Sequence, residues 1–185
     1  PFTSRWEMEW QRLKDAVLSD PVLRVQDMQL YGSRVSGFGE NADVDATVLV
    51  QGRDAVPVLQ MLEEALPRLL PYFEVLERLY AARVPILRLR GNGLNFDLTV
   101  NNFRSVWSTR LLKSYAELDP RAVNLNKAVK RWAKGAQLVG APSGNLSSYA
   151  LTLMAIYFAQ IRGALPVLQG EHVIPLIESG CNVAF

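Results

Sequence analysis

Cysteine and histidine are almost missing: the 185-residue chain carries one Cys, Cys181, and one His, His172. A lone cysteine excludes an intrachain disulfide framework and suits a reducing compartment. One His and one Cys exclude a His/Cys zinc centre, which needs several such ligands. A strong charge of one sign is missing too. Net charge is +2, from 20 Lys and Arg against 18 Asp and Glu; this permits nucleic acid as a partner without arguing for it. No apolar run approaches the roughly 20 residues that span a bilayer. The most apolar stretch, Leu151 to Ile161, reads as a buried core helix. No secretory leader is visible at Pro1-Phe2-Thr3, and the numbering can equally begin after a processed one. Repeats and low-complexity segments are absent. With 49% apolar and 21% charged residues the composition is globular, and the length suits one large domain or two small ones.

What is present divides near residue 103. Ser4 with Glu7 forms a capping-box pattern, and Trp6, Trp10, Leu13 and Val17 share a face, so residues 4–18 read as an amphipathic helix. Val22 to Leu30 and Asp45 to Val50 read as strands. Ala55 to Leu70 is helical in period, with Pro57 in its first turn. Phe73 to Leu79, Ile86 to Arg90 and Leu94 to Val100 read as further strands, the last two joined by the hairpin signal Gly91-Asn92-Gly93. This order predicts an α+β lobe, a mixed sheet with helices on one face. Beyond it, Val106 to Leu118, Arg121 to Leu138 and Leu146 to Ile161 predict a mainly helical lobe. Trp132 reads as core, and Asn145 as a cap for the last helix.

The chemistry concentrates in "YGSRVSGFGENADVDATVLV", Tyr31 to Val50. Asp43 and Asp45, one residue apart at the head of a strand, place both carboxylates on one side of the backbone. Like charges so close repel, and a cation resolves the conflict. Asp97 lies in the alternating stretch Leu94 to Val100, on the face of Asn95 and Thr99. Taken singly, each aspartate reads better as a solvated turn or strand residue. Together they can hold one or two hard cations, which prefer oxygen ligands. Gly32-Ser33 upstream lets backbone N–H groups and a hydroxyl approach phosphate oxygens. The spacing is not a Walker A loop, since no Gly-Lys-Ser/Thr follows.

Gly-Ser, an Asp-x-Asp about ten residues on and a third Asp on a distant strand resemble the DNA polymerase β-like nucleotidyltransferases. "AVKRWAKG" (Ala128 to Gly135) and "GNLSSYALTLMAIYFAQ" (Gly144 to Gln160) look like the central domain of terminal uridylyltransferases and noncanonical poly(A) polymerases. Within that group the chain looks most like the small trypanosomal enzymes associated with mitochondrial editosome-like complexes.

The resemblance implies a nucleotidyltransferase domain over residues 1–102 and a helical nucleotide-recognition domain over 103–185, the latter incomplete at its C-terminus, with UTP bound between them. It implies Asp43, Asp45 and Asp97 as catalytic carboxylates and ligands of Mg²⁺ (or Mn²⁺). Gly32, Ser33, Ser147 and Ser148 would meet the triphosphate, Lys130 and Lys134 its β- and γ-phosphates, and Tyr149 the base. Ser108 stands where related enzymes usually carry a ribose-binding Asn, and Ala42 where a Ser often precedes the first Asp. The implied reaction is attack of an RNA 3′-hydroxyl on UTP, with an RNA-editing or RNA-processing complex as partner, no membrane, and a mitochondrial setting. A poly(A) polymerase, a silent RNA-binding subunit and a plain metal-binding module are the rival readings. Residues His172, Glu178 and Cys181 give no functional signal.

Overall fold

The computed structural model describes residues 4–39, 43–140 and 144–169, and the backbone of 177–178 and 181–182. Ala42 and His172, and the side chains of Glu178 and Cys181, lie outside the described residues. The chain divides into two compact units: Pro1–Arg34 with Asn41–Val106, and Val35–Glu40 with Trp107–Phe185.

The first unit is built on a five-stranded sheet of order β1-β2-β5-β4-β3. Its strands are β1 (Asp27–Tyr31), β2 (Val44–Leu49), β3 (Phe73–Leu79), β4 (Ile86–Gly91) and β5 (Leu94–Val100). The sheet is mixed, since β2 and β5 pair in parallel and the remaining neighbours pair antiparallel. Helices α1 (Arg5–Ser19) and α3 (Ala55–Leu69) supply the apolar cover for one face. The Ser4/Glu7 capping box is formed at the start of α1. Leu13, Leu59, Leu62, Leu87, Leu89, Phe96 and Leu98 are all but inaccessible in this core, each burial worth about 1.5–3 kcal/mol. Residues of opposite parity on the strands, among them Tyr31, Asp45, Arg88 and Asp97, belong to the other face.

Two local expectations change here. The strand foreseen from Val22 begins only at Asp27. Asp20 accepts from the backbone N–H groups of Val22 and Leu23 at 2.8 and 3.3 Å, and Arg24 takes φ +49°, so a turn holds 21–24. Gly32-Ser33 opens a four-residue helix, α2 (Ser33–Ser36), which apolar periodicity is too short to signal.

The second unit contains α5 (Pro120–Gly135) and α6 (Ser148–Ile161), with α4 (Phe103–Leu118) leading into it. A short hairpin pairs β6 (Ile177–Glu178) with β7 (Cys181–Asn182). Its core holds Phe38, Leu111, Leu112, Tyr115, Ala122, Ile156 and Ala159. Asp119 caps α5, with Pro120 in the first turn, where a missing N–H costs nothing. The helix stops before Leu138, since Gln137 takes φ +57°. Trp132 is not in the core: it is 64% exposed, off the stripe of Ala122, Asn126 and Ala133 that packs inward. The cap of α6 is Ser147, whose hydroxyl accepts from the N–H of Ala150 at 3.1 Å. Asn145 instead donates to the carbonyl of Gln137. The run Leu151 to Ile161 is buried on one side only. Leu151, Ala155, Ile156 and Ala159 pack inward, whereas Met154, Tyr157, Phe158 and Ile161 are exposed. An all-apolar helix has no polar face to mark which side a neighbour covers.

Candidate active site

The parallel pairing of β2 with β5 sets Asp45 directly opposite Asp97. The neighbouring registers extend this into a row across the whole sheet. Tyr31 on β1 opposes Asp45, Arg88 on β4 opposes Asp97, and Glu77 on β3 opposes Arg88. Asp43 lies just before β2 and is exposed; its carboxylate accepts from the side-chain amide of Asn95 at 3.3 Å.

The row is strongly polarised. Burial, then the charges of Asp97 and Asp43, push the Asp45 carboxyl up to about 7, and Arg88 and Arg34 only partly offset this. Burial chiefly pushes Tyr31 up to about 12, with the Asp45 and Asp97 charges adding to it. The Tyr31 hydroxyl pairs with that of Thr99 at 3.2 Å. Arg88 grips Asp97 with both arms of its fork, Nε on Oδ1 at 2.8 Å and Nη2 on Oδ2 at 2.9 Å, and its remaining Nη1 donates to Glu77 at 2.7 Å. These charge-assisted bonds hold Arg88 still more firmly protonated.

Gly32 explains itself through Asp45. Its φ is +87°, and a Cβ built there would lie 2.0 Å from Asp45 Oδ2. Only glycine admits both the backbone conformation and the carboxylate. Ser33 follows as the first residue of α2, and Arg34 stacks on Trp6 at 5.4 Å.

The donor set is all hard oxygen, and a cation would relieve both the burial of the Asp45 charge and its repulsion by Asp97 and Asp43, so these carboxylates suit Mg²⁺. Among the described residues no three His, Cys, Asp or Glu side chains already converge on a point. The pair Asp45/Asp97 is in place, and Asp43 is near enough to perturb Asp45.

The other expected contacts belong to the second unit. Lys130 is half-buried, and its ammonium donates to the carbonyl of Phe38 at 3.2 Å; burial pulls its pKa down. Lys134, one turn on, is exposed. Ser108 is half-buried on α4. The hydroxyl of Ser147 is engaged as the α6 cap, and Ser148 is exposed. Tyr149 is 43% exposed and therefore not a core tyrosine. Sequence reasoning missed Arg88, Glu77 and Tyr31. The signal for Arg88 was available: counting outward from the two-residue turn Asn92-Gly93 sets it opposite Asp97.

Comparison with known proteins places this geometry in a family. Residues 3–117, more than half of the chain, match the family described as "Poly(A) RNA polymerase, mitochondrial-like, central palm domain". The chain belongs to that family. Terminal uridylyltransferase 7 of Homo sapiens is 34% identical over 173 residues, 85% of this chain and 12% of the relative. Poly(A) RNA polymerase GLD2-A of Xenopus laevis is 34% identical over 156 residues, 78% of this chain and 30% of the relative. A structure of Cid1, described for its RNA terminal uridylyl transferase activity, superposes with TM-score 0.78 at 29% identity, covering 98% of this chain and 59% of Cid1. A structure of mtPAP in complex with UTP shares the fold, with TM-score 0.79 at 21% identity, covering 99% of this chain and 46% of mtPAP. The chain thus spans only part of each relative. These matches make the architecture an α+β, polymerase β-like nucleotidyltransferase fold.

Proposed function

We propose that the chain is the catalytic portion of an RNA uridylyltransferase, adding UMP from UTP to an RNA 3′-hydroxyl. The observation that carries this is the Asp45/Asp97 pair on adjacent parallel strands, with Gly32 closed against Asp45, in a family whose relatives are terminal uridylyltransferases and poly(A) polymerases. In this reading Asp43, Asp45 and Asp97 hold Mg²⁺, which when bound supplies charge stabilisation for attacking and leaving oxygens. Cid1 has been solved with Mg 3′-dATP bound.

The chain's own groups divide the remaining work. The 3′-oxygen forms a bond to the α-phosphorus of UTP as the bond to the β-phosphate oxygen breaks, and pyrophosphate leaves. Asp97 assists removal of the hydroxyl proton. Gly32, Ser33, Ser147 and Ser148 meet the triphosphate, Lys130 and Lys134 neutralise its β- and γ-phosphates, Ser108 meets the ribose, and Tyr149 stacks on the base. Residues 1–102 would form the catalytic domain and 103–185 the nucleotide-recognition domain. The narrower likeness to trypanosomal enzymes, and with it an RNA-editing complex and a mitochondrial setting, rests on the sequence motifs. Among the described residues no helix is long and apolar enough to cross a membrane.

The GLD2 relatives favour a second reading, a poly(A) polymerase, because this fold serves either base. Extension of a labelled RNA with each of the four nucleoside triphosphates separates them. Uridine addition supports the proposal, adenosine addition supports the second reading, and no addition by the full-length protein with Mg²⁺ defeats both.

A further inference from the structure

We propose that Glu77 and Arg88 are positioning residues that act through Asp97, fixing its carboxylate so that its free side faces Asp45. The proposal rests on Asp45 and Asp97 being the cation-binding carboxylates. Arg88 approaches Asp97 from β4, and Asp45 adjoins it from β2. A carboxylate offers about four lone-pair sites. The fork of Arg88 takes one on each oxygen of Asp97 and leaves the others for a shared cation. Two parallel N–H···O bonds also fix the carboxylate plane, which a single ammonium contact cannot do.

Glu77 secures the fork from the far side through Nη1, and its presence there depends on an irregularity. The β3–β4 register shifts between Val75 and Glu77. Strict alternation from Phe73 and Val75, both packed on the helical core, would turn Glu77 toward the helices and set Leu76 opposite Arg88. The bulge leaves Leu76 without a partner in the register and brings Glu77 onto the face of the carboxylates. Bulges commonly re-aim a side chain beside an active site. The side chains of Glu77 and Arg88 are 47% and 31% exposed.

The test uses the full chain, with Mn²⁺ alone as a spectroscopic probe of the cation site, alongside steady-state extension kinetics and thermal melting. Arg88→Lys keeps the charge and loses the fork. Partners behind a metal ligand typically matter by about 10–100-fold in affinity or activity. Arg88→Lys should therefore weaken Mn²⁺ binding and lower kcat by roughly 10–100-fold, with KM for UTP and the melting temperature little changed. Glu77→Ala should lower both several-fold alone and nothing further in the Arg88→Lys background, because it acts through the fork. Mn²⁺ affinity at the wild-type level in Arg88→Lys would overturn the proposal, as would additive losses in the double variant. Should Arg88→Lys fail to fold, Glu77→Ala decides: unchanged Mn²⁺ affinity overturns the clamp. A wild-type protein that binds Mn²⁺ but extends no RNA defeats the uridylyltransferase reading and leaves the clamp testable by binding.

Discussion

Replacing Gly32 by alanine separates a structural glycine from one that guards a carboxylate. Two costs arise at once. An alanine at φ +87° is strained by about 1–2 kcal/mol. Its Cβ would meet Asp45 Oδ2 at 2.0 Å, where under 3.0 Å something must shift. The carboxylate has to retreat by ~1 Å, and displacement on that scale can cost roughly 100-fold in rate. Gly32→Ala should thus stay folded, with its melting temperature lowered by about 2–4 °C for each kcal/mol of strain, and lose extension activity about 100-fold. Deleting the carboxylate isolates the second cost. In an Asp45→Ala background Gly32→Ala should destabilise less, because only backbone strain remains. Primer extension on the single variant and thermal melts on all four proteins are sufficient. Near-normal extension by Gly32→Ala, or the same loss of melting temperature in both backgrounds, would refute the contact.

Asp97→Asn keeps the shape and one acceptor for Arg88 but loses the charge and turns an amide N–H₂ toward the other arm of the fork; extension should vanish while the protein stays folded with a lowered melting temperature, and residual activity near wild type would remove Asp97 from the site. Asp45 carries a carboxyl raised from 3.8 to about 7 in the folded state. Folding therefore takes up a proton, and the destabilisation is absent below pH 3.8, grows toward pH 7 and is complete above it. In metal-free buffer Asp45→Asn should raise the melting temperature more at pH 8 than at pH 5; equal gains at both would contradict this. Lys130→Ala and Lys134→Ala should each weaken UTP far more than UMP in calorimetry, since UMP lacks the outer phosphates, and equal losses would reassign them. Tyr149→Ala should weaken UTP by roughly 10- to 100-fold, as loss of a base–aromatic stack does, and Tyr149→Phe much less. Because the ring is 43% exposed, the apo melting temperature should barely move; a large fall with unchanged UTP affinity would refute the stacking role.

Alternation and turn chemistry made most of the first unit legible. Phe73–Leu79 and Leu94–Val100 are strands as expected, and α3 ends one residue from its expected limit. A failure came where a single residue outweighed the pattern: Arg24 in the left-handed region delayed β1. The bulge at Leu76, which puts Glu77 on the carboxylate face, has no sign in the alternation of Phe73–Leu79. In the second unit Trp132 and the outer side of α6 were misjudged, because apolarity alone does not say which side of a helix finds a neighbour. Asp45 and Asp97 were grouped from the sequence, but the register that sets them directly opposite was beyond it for a different reason. A hairpin fixes register through its turn, whereas β2 and β5 pair in parallel across more than forty intervening residues, and no local signal sets that register.

That asymmetry explains how the site is built. The local hairpins β3–β4 and β4–β5 bring together Glu77, Arg88 and Asp97, a row in which one arginine serves two carboxylates. The non-local pairing of β2 adds Asp45 beside Asp97, where burial first and then the charges of Asp97 and Asp43 lift its carboxyl to about 7. A sheet selected for stability alone would not set two carboxylates opposite each other, because like charges directly opposed destabilise strand pairing. The apolar face under α1 and α3 provides the burial that tolerates this cost. With Arg88 shared between Glu77 and Asp97, the addition of Asp45 collects the excess negative charge toward the β2–β5 junction, which is where a divalent cation gains most.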